Sequence, residues 1–191
     1  MIEHEVKLPY PTLEAARQAI VDAGGRLVFS RRLIDDTLYD SADLRVRRGQ
    51  SALRLRRDGS NTYVTFKGPR IPGVVKSREE FETSVGDPVV MEQVFRGLGL
   101  QRVFRSQKYR EEYEQDRVHI ALDETPFGVY VEIEALPDEI DRFARRLGHT
   151  PNDYEVESYP ALWRRWCSEH GREAGDMLFD RQVPDASGPR P

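Results

Sequence analysis

The chain has one cysteine, Cys167, among 191 residues. This excludes an internal disulfide and any zinc site built on several thiolates. Its four histidines, His4, His119, His149 and His170, are scattered without ligand spacing, so a surface or packing role is expected for them rather than catalysis. No run approaches the roughly 18 uncharged apolar residues of a membrane span, and Met1-Ile2-Glu3-His4-Glu5 lacks the apolar stretch of a signal peptide. An excess of positive charge is also missing, since 29 Lys and Arg stand against 33 Asp and Glu. The overall field therefore does not draw the protein to nucleic acid or an anionic membrane. These absences predict a soluble, cytoplasmic protein with neither partner, in which any anion site is a local concentration of basic residues.

Charge itself is abundant, at 32% of residues, and much of it alternates with apolar residues at a period of two. Successive side chains of a strand point to opposite faces, so this pattern reads as strands with one charged and one apolar side. Glu3, Glu5 and Lys7 oppose Ile2, Val6 and Leu8. Arg54 and Arg56 alternate with Leu53 and Leu55, and Tyr63, Thr65 and Lys67 with Val64 and Phe66. Arg78, Glu80 and Glu82 flank Phe81, while Lys108, Arg110 and Glu112 oppose Tyr109 and Tyr113. His119, Ala121 and Asp123 alternate with Val118, Ile120 and Leu122, and Tyr130, Glu132 and Glu134 with Val129, Val131 and Ile133. With Asp36 to Asp40, about eight strands are predicted, and Asp58-Gly59-Ser60-Asn61 marks a hairpin between two of them.

Helical spacing follows Thr12 and stops at Gly24-Gly25, and again runs from Pro88 to Gly99. Two more helices are predicted from about Asp138 to Leu147 and from about Tyr159 to His170. Trp163 and Trp166 are expected to pack within the last of these. Gly68-Pro69-Arg70-Ile71-Pro72-Gly73 has the glycine spacing of a phosphate-binding P-loop, but Val74-Val75 stand where Lys and Ser or Thr are required. That stretch is read as a loop at a tunnel mouth. Residues 1 to 179 are expected to form one domain, and the Pro/Gly/Ser-rich tail at 180 to 191 to be mobile.

In an ordinary sheet the charged faces would meet water over an apolar core. Two features favour the reverse. Like charges recur at adjacent same-face positions, as in Arg54 and Arg56 or Glu3 and Glu5, and repel unless something of opposite sign lies between them. The amphipathic helices also need an apolar surface to cover, which the other strand faces supply. Both conditions are met by an α+β fold, a closed eight-stranded antiparallel β-barrel or tunnel with a charged, water-filled lumen and helices packed on the outside. Its basic lining would be Lys7, Arg54, Arg56, Lys67, Arg78, Lys108 and Arg110, suited to a polyphosphate. Its acidic lining would be Glu3, Glu5, Glu80, Glu82, Asp123, Glu132 and Glu134, and carboxylates beside a phosphate anion make sense when Mg2+ or Mn2+ bridges the two.

Glu3-x-Glu5-x-Lys7 on the first strand resembles the defining motif of the CYTH family, the triphosphate tunnel metalloenzymes. The likeness continues in family order through Asp36-Thr37-Leu38-Tyr39-Asp40, Leu53-Arg54-Leu55-Arg56, Thr65-Phe66-Lys67-Gly68-Pro69 and Arg78-Glu79-Glu80. It goes on through Gln107-Lys108-Tyr109-Arg110, Leu122-Asp123, Val131-Glu132-Ile133-Glu134 and Ser158-Tyr159, covering about residues 1 to 170. The resemblance implies an enzyme with Glu3, Glu5 and Lys7 in direct catalytic roles. It implies Mg2+ or Mn2+ on Glu3, Glu5, Glu134 and Glu132, and a triphosphate on Lys7, Arg54, Arg56, Lys67, Arg78, Lys108 and Arg110. Glu80, Glu82 and Asp123 would line the tunnel further, with Tyr39, Ser158 and Tyr159 as additional candidates. Family members include triphosphatases acting on inorganic triphosphate, ATP or thiamine triphosphate, and class IV adenylyl cyclases making cyclic AMP and pyrophosphate. Hydrolysis is the favoured expectation because it needs no nucleoside pocket; cyclisation and non-catalytic polyphosphate or nucleotide binding are the alternatives.

Overall fold

The alternating segments pair into one closed sheet. The computed structural model describes residues 2–179, and the tail expected at 180–191 lies outside the described residues. In chain order the elements are β1 (Ile2–Tyr10), α1 (Leu13–Asp22), β2 (Arg26–Ser41), α2 (Arg45–Arg48), β3 (Ala52–Asp58), β4 (Asn61–Ile71) and β5 (Lys76–Ser84). They continue as α3 (Pro88–Gly97), β6 (Leu100–Gln115), β7 (Val118–Thr125), β8 (Gly128–Glu134), α4 (Pro137–Arg146), a 3-10 turn (Pro151–Asp153) and α5 (Tyr159–Glu169). The barrel closes in the order β1-β5-β4-β3-β2-β6-β7-β8, with antiparallel pairing at every seam. The expected α+β tunnel is the observed fold.

The core lies outside the barrel wall. Val6, Leu8, Ile120, Leu122, Val131 and Ile133 form the outer face of β1, β7 and β8, and Ala16 and Ile20 of α1 with Ile140, Phe143 and Ala144 of α4 cover it. The Thr12 side chain accepts from Ala15 N at 3.1 Å to start α1, and the chain leaves that helix through Gly24 at φ +90°, a conformation glycine adopts without a Cβ clash. Asp87 caps α3, accepting from Val89 N at 2.8 Å, and α3 sets Phe95 against Tyr39 and Leu55. Trp163 and Cys167 of α5 pack with Met177, and Trp163 stacks on Trp166 at 5.3 Å, the packing role expected of this pair. Among the described residues, no helix is long and apolar enough to cross a membrane.

Two local expectations are corrected, and one short element is added. The stretch Gly68–Ile71 belongs to β4, where a bulge between Lys67 and Arg70 accommodates Pro69, so the loop shrinks to residues 72–75. Tyr39 points outward against Phe95 at 4.9 Å rather than into the lumen, because unbroken alternation along this part of β2 puts it on the same face as Thr37 and opposite to Asp36. The short α2 follows from Asp40, whose buried carboxylate accepts from Val46 N and Arg47 N at 2.9 Å each.

Candidate functional site

The inward faces converge as the alternation predicts, but the lumen is not simply water-filled. It is packed by its own ion pairs, which become more buried toward the end closed by α5. Register places Glu5 beside Glu134 and Lys7 beside Glu132 across β1 and β8, and Glu3 beside Arg78 across β1 and β5. Lys7 Nζ donates to Glu5 Oε1 at 2.7 Å and lies 3.1 Å from Glu132 Oε2. Arg110 donates to both oxygens of Asp123, at 2.6 and 2.7 Å, and to Glu132 at 2.8 Å. Lys108 reaches Asp123 Oδ2 at 2.8 Å. Each charge is thereby compensated, which a buried carboxylate requires if it is to stay ionised.

Nearer the other end, Lys67 donates to Glu3 at 2.7 Å and lies 2.8 Å from Glu80. Arg56 grips Asp36 at 2.8 and 2.9 Å. Arg54 donates to Thr65 Oγ1 at 3.1 Å, and Glu82 accepts from that hydroxyl at 2.7 Å while standing half-exposed at the rim. Arg54 Nε, Arg78 Nε and Arg32 Nη1 are buried with no hydrogen-bond partner among the described residues. A buried N–H left unmade costs about 1–3 kcal/mol, so three such donors facing one lumen are unspent capacity for an anion.

The acidic side is equally telling. Burial raises Glu3 to about 7, helped by the neighbouring Glu80 and opposed by Lys67. Burial likewise raises Glu134 to about 7, with Glu3 and Glu132 adding repulsion. Burial pushes Glu5 and Glu132 upward too, but adjacent lysines and Arg110 outweigh it and hold both well below the usual carboxylate range. Among the described residues no three of these groups stand as a ready-made metal cage, since most are turned toward a lysine or arginine. The donors are nonetheless all hard oxygens, and like-charge crowding at Glu3 and Glu134 is what a divalent cation would relieve. The donor chemistry therefore fits a hard divalent cation.

Four lumen participants were not singled out by sequence. Lys76 is buried and pairs with Glu5; burial and the nearby Lys7 and Lys67 bring it down to about 8 despite that carboxylate. It lies in phase with Arg78, Glu80 and Glu82, so extending the period by one step would have found it. Asp36 and Arg32 lie in phase with each other on β2, though bulges obscure that strand's pattern. His119, although partly exposed, sits among these groups: it pairs across the strands with Glu134 and lies 3.8 Å from Glu112. Tyr159, an open candidate, is a stopper at the closed end, donating its hydroxyl to Asp123 at 2.7 Å with its ring 4.7 Å from Lys108 Nζ. Ser158 stands at the N-cap of α5.

Comparison with known proteins gives this lumen its relatives. The CYTH domain pattern matches residues 1–159. The chain belongs to the CYTH domain family. A Methanocaldococcus jannaschii protein provisionally named an adenylate cyclase is 29% identical over 142 residues, 74% of this chain and 81% of the relative. The structure of a Pyrococcus horikoshii protein superposes with a TM-score of 0.72 at 25% identity, covering 84% of this chain and 97% of the other. A Hippeastrum structure, provisionally named an adenylyl cyclase and described as having a dominant triphosphatase activity, matches in fold with a TM-score of 0.62 at 18% identity, covering 90% and 96%.

Proposed function

We propose that this CYTH protein is a divalent-metal-dependent triphosphatase that binds a small-molecule triphosphate in the lumen and hydrolyses its terminal phosphoanhydride. The observation that carries the reading is the set of buried, unspent guanidinium donors on Arg32, Arg54 and Arg78, beside a carboxylate cluster strained by its own charge. Arg54, Arg56, Arg78 and Arg110 would clamp phosphate oxygens bidentately, with Lys7, Lys67 and Lys108 as point charges. A triphosphate would replace internal carboxylates as their partner. Glu3, Glu5, Glu132 and Glu134 would hold Mg2+ or Mn2+, which supplies charge neutralisation on the phosphate oxygens. Water would attack the terminal phosphorus, the P–O bond to the bridging oxygen would break with its electron pair passing to the departing diphosphate group, and orthophosphate would form as the water proton is given up to solvent. Asp123 and Tyr159 hold Lys108 in place at the closed end, with its ammonium directed into the lumen cluster.

Adenylyl cyclisation is the second reading, favoured by the naming of the Methanocaldococcus relative. The test is to incubate the protein with Mg2+ or Mn2+ and tripolyphosphate, ATP or thiamine triphosphate, and to resolve the products. Orthophosphate release is expected. Cyclic AMP and pyrophosphate from ATP would assign the cyclase instead, and no turnover by metal-loaded protein would overturn both in favour of a binding module.

A further inference from the structure

On the outer wall, beside the C-terminal end of α3, the strip formed by β2, β3 and β6 is basic, whereas the outer face of β1, β7 and β8 is apolar and covered by α1 and α4. A cavity of about 560 Å³ opens there, lined by Arg57, Arg96, Arg102 and Arg105 with Thr37 and Tyr39 beneath them. Thr37 pairs with Leu55 and Arg105 across the neighbouring strands, and Leu55 packs outward against Phe95, so this face is the opposite of the lumen. The next residues along, Asp36 and Arg56, face inward.

Carboxylates offset only part of this charge. Arg57 donates to Glu92 at 2.6 Å, Arg105 to Asp35 at 2.8 Å and Arg102 to Asp176, while Arg96 has no ion-pair partner among the described residues. Glu92 is the sole carboxylate on the lining itself. A guanidinium carries five N–H donors, so most donors around the hollow are uncommitted after these pairs form. Packing does not explain four arginines converging on a hollow from three elements, because side-chain positive charges repel when nothing anionic separates them.

We propose that this hollow is a second anion site, separate from the lumen, for a small phosphorylated ligand with one or two phosphoryl groups. Guanidinium forks match phosphoryl oxygens in geometry as well as charge. The volume lies within the usual range of small-molecule sites and exceeds what orthophosphate alone fills.

The experiment is calorimetric titration of the full chain with orthophosphate, pyrophosphate and AMP, in the wild type, in Arg96→Glu and in the lumen variant Arg56→Gln, each checked for a native circular dichroism spectrum and melt. Two classes of pyrophosphate site are expected in the wild type. Arg96→Glu should weaken the outer one about tenfold or more, a change of at least about 1.4 kcal/mol, and spare the lumen; Arg56→Gln should do the converse. AMP binding in the outer class would identify a phosphate ester, and binding of inorganic ions alone a free phosphoanion; both outcomes support the site. A single class lost in Arg56→Gln and untouched in Arg96→Glu would overturn it, as would displacement by equimolar sulfate, which signals charge attraction only. If Arg96→Glu does not fold, the exposed Arg102→Gln takes its place with the same expectation.

Discussion

Lys7 is held by two carboxylates at once, and that double partnership sets the energetic hierarchy among lumen residues. Removing one member of a buried ion pair leaves its partner charged and unpaired, typically at about 3–5 kcal/mol. Lys7→Met takes a partner from two carboxylates at once, leaving Glu5 with Lys76 and Glu132 with Arg110, and should lose up to that much, whereas Lys76→Met takes a partner from Glu5 alone and should lose less. Urea unfolding of both variants checks the order; equal losses would contradict it. Glu112 offers a cleaner titration. Burial pushes it upward, but the nearby His119 imidazole and the charges of Arg32 and Arg110 prevail, bringing it to about 2 from the ordinary 4.5. A carboxyl depressed in the folded state contributes stability that is complete above its unfolded value and is lost as pH falls through the folded one. Its contribution, about 1–2 kcal/mol after solvent screening, should therefore disappear between pH 4.5 and 2. Glu112→Gln should flatten stability against pH across that window, and curves parallel to the wild type would refute the assignment.

Among the secondary-structure elements, α1 shows how the outer core holds the wall. Ile20 is fully buried between that helix and the apolar side of the barrel, so Ile20→Ala should lower stability by about 2–4 kcal/mol. A chemical denaturation midpoint that does not move would show that α1 is dispensable to the core. Elements of this kind were legible in the sequence wherever one rule governed a whole segment. The eight strands declared themselves because Glu3-x-Glu5-x-Lys7 and its counterparts keep strict parity. The ends of β2 and β6 did not, since bulges at Leu27, Phe29 and Leu38 interrupt the parity of the pair. Most site residues were likewise legible by face. Their partners were not, because Lys7 meets Glu132 and Lys67 meets Glu3 through pairing of strands far apart in sequence. Tyr39 was misplaced although the alternation that turns Asp36 inward already turns Tyr39 outward.

At the scale of the molecule, the barrel is an internal salt, neutralised by its own residues in the absence of ligand. A triphosphate alone would release carboxylates with no cation to meet them, and a metal alone would release lysines and arginines with no anion. The two should therefore stabilise the protein together by more than the sum of their separate effects, since ligands that bind only the folded state raise stability by mass action and each here improves the site for the other. A grid of thermal melts with tripolyphosphate and Mg2+ varied independently tests this; strictly additive shifts would argue against a shared site.

The seam of that barrel also bears on how the chain is made. β1 takes hydrogen bonds from β5 over Ile2 to Glu5 and from β8 over Glu5 to Tyr10. Beyond the reach of β5, the backbone of Lys7 exchanges two 2.9 Å bonds with Glu155. The earliest of these strands to leave the ribosome is thus completed only after most of the chain has followed. Until then its apolar and charged faces both stand open, so closure depends on contacts distant in sequence, the kind that form slowly and leave edges exposed to neighbouring chains. A nascent chain halted before Glu155 would carry every charged residue of the lumen and still lack both the stitch that shuts it and the Tyr159 stopper.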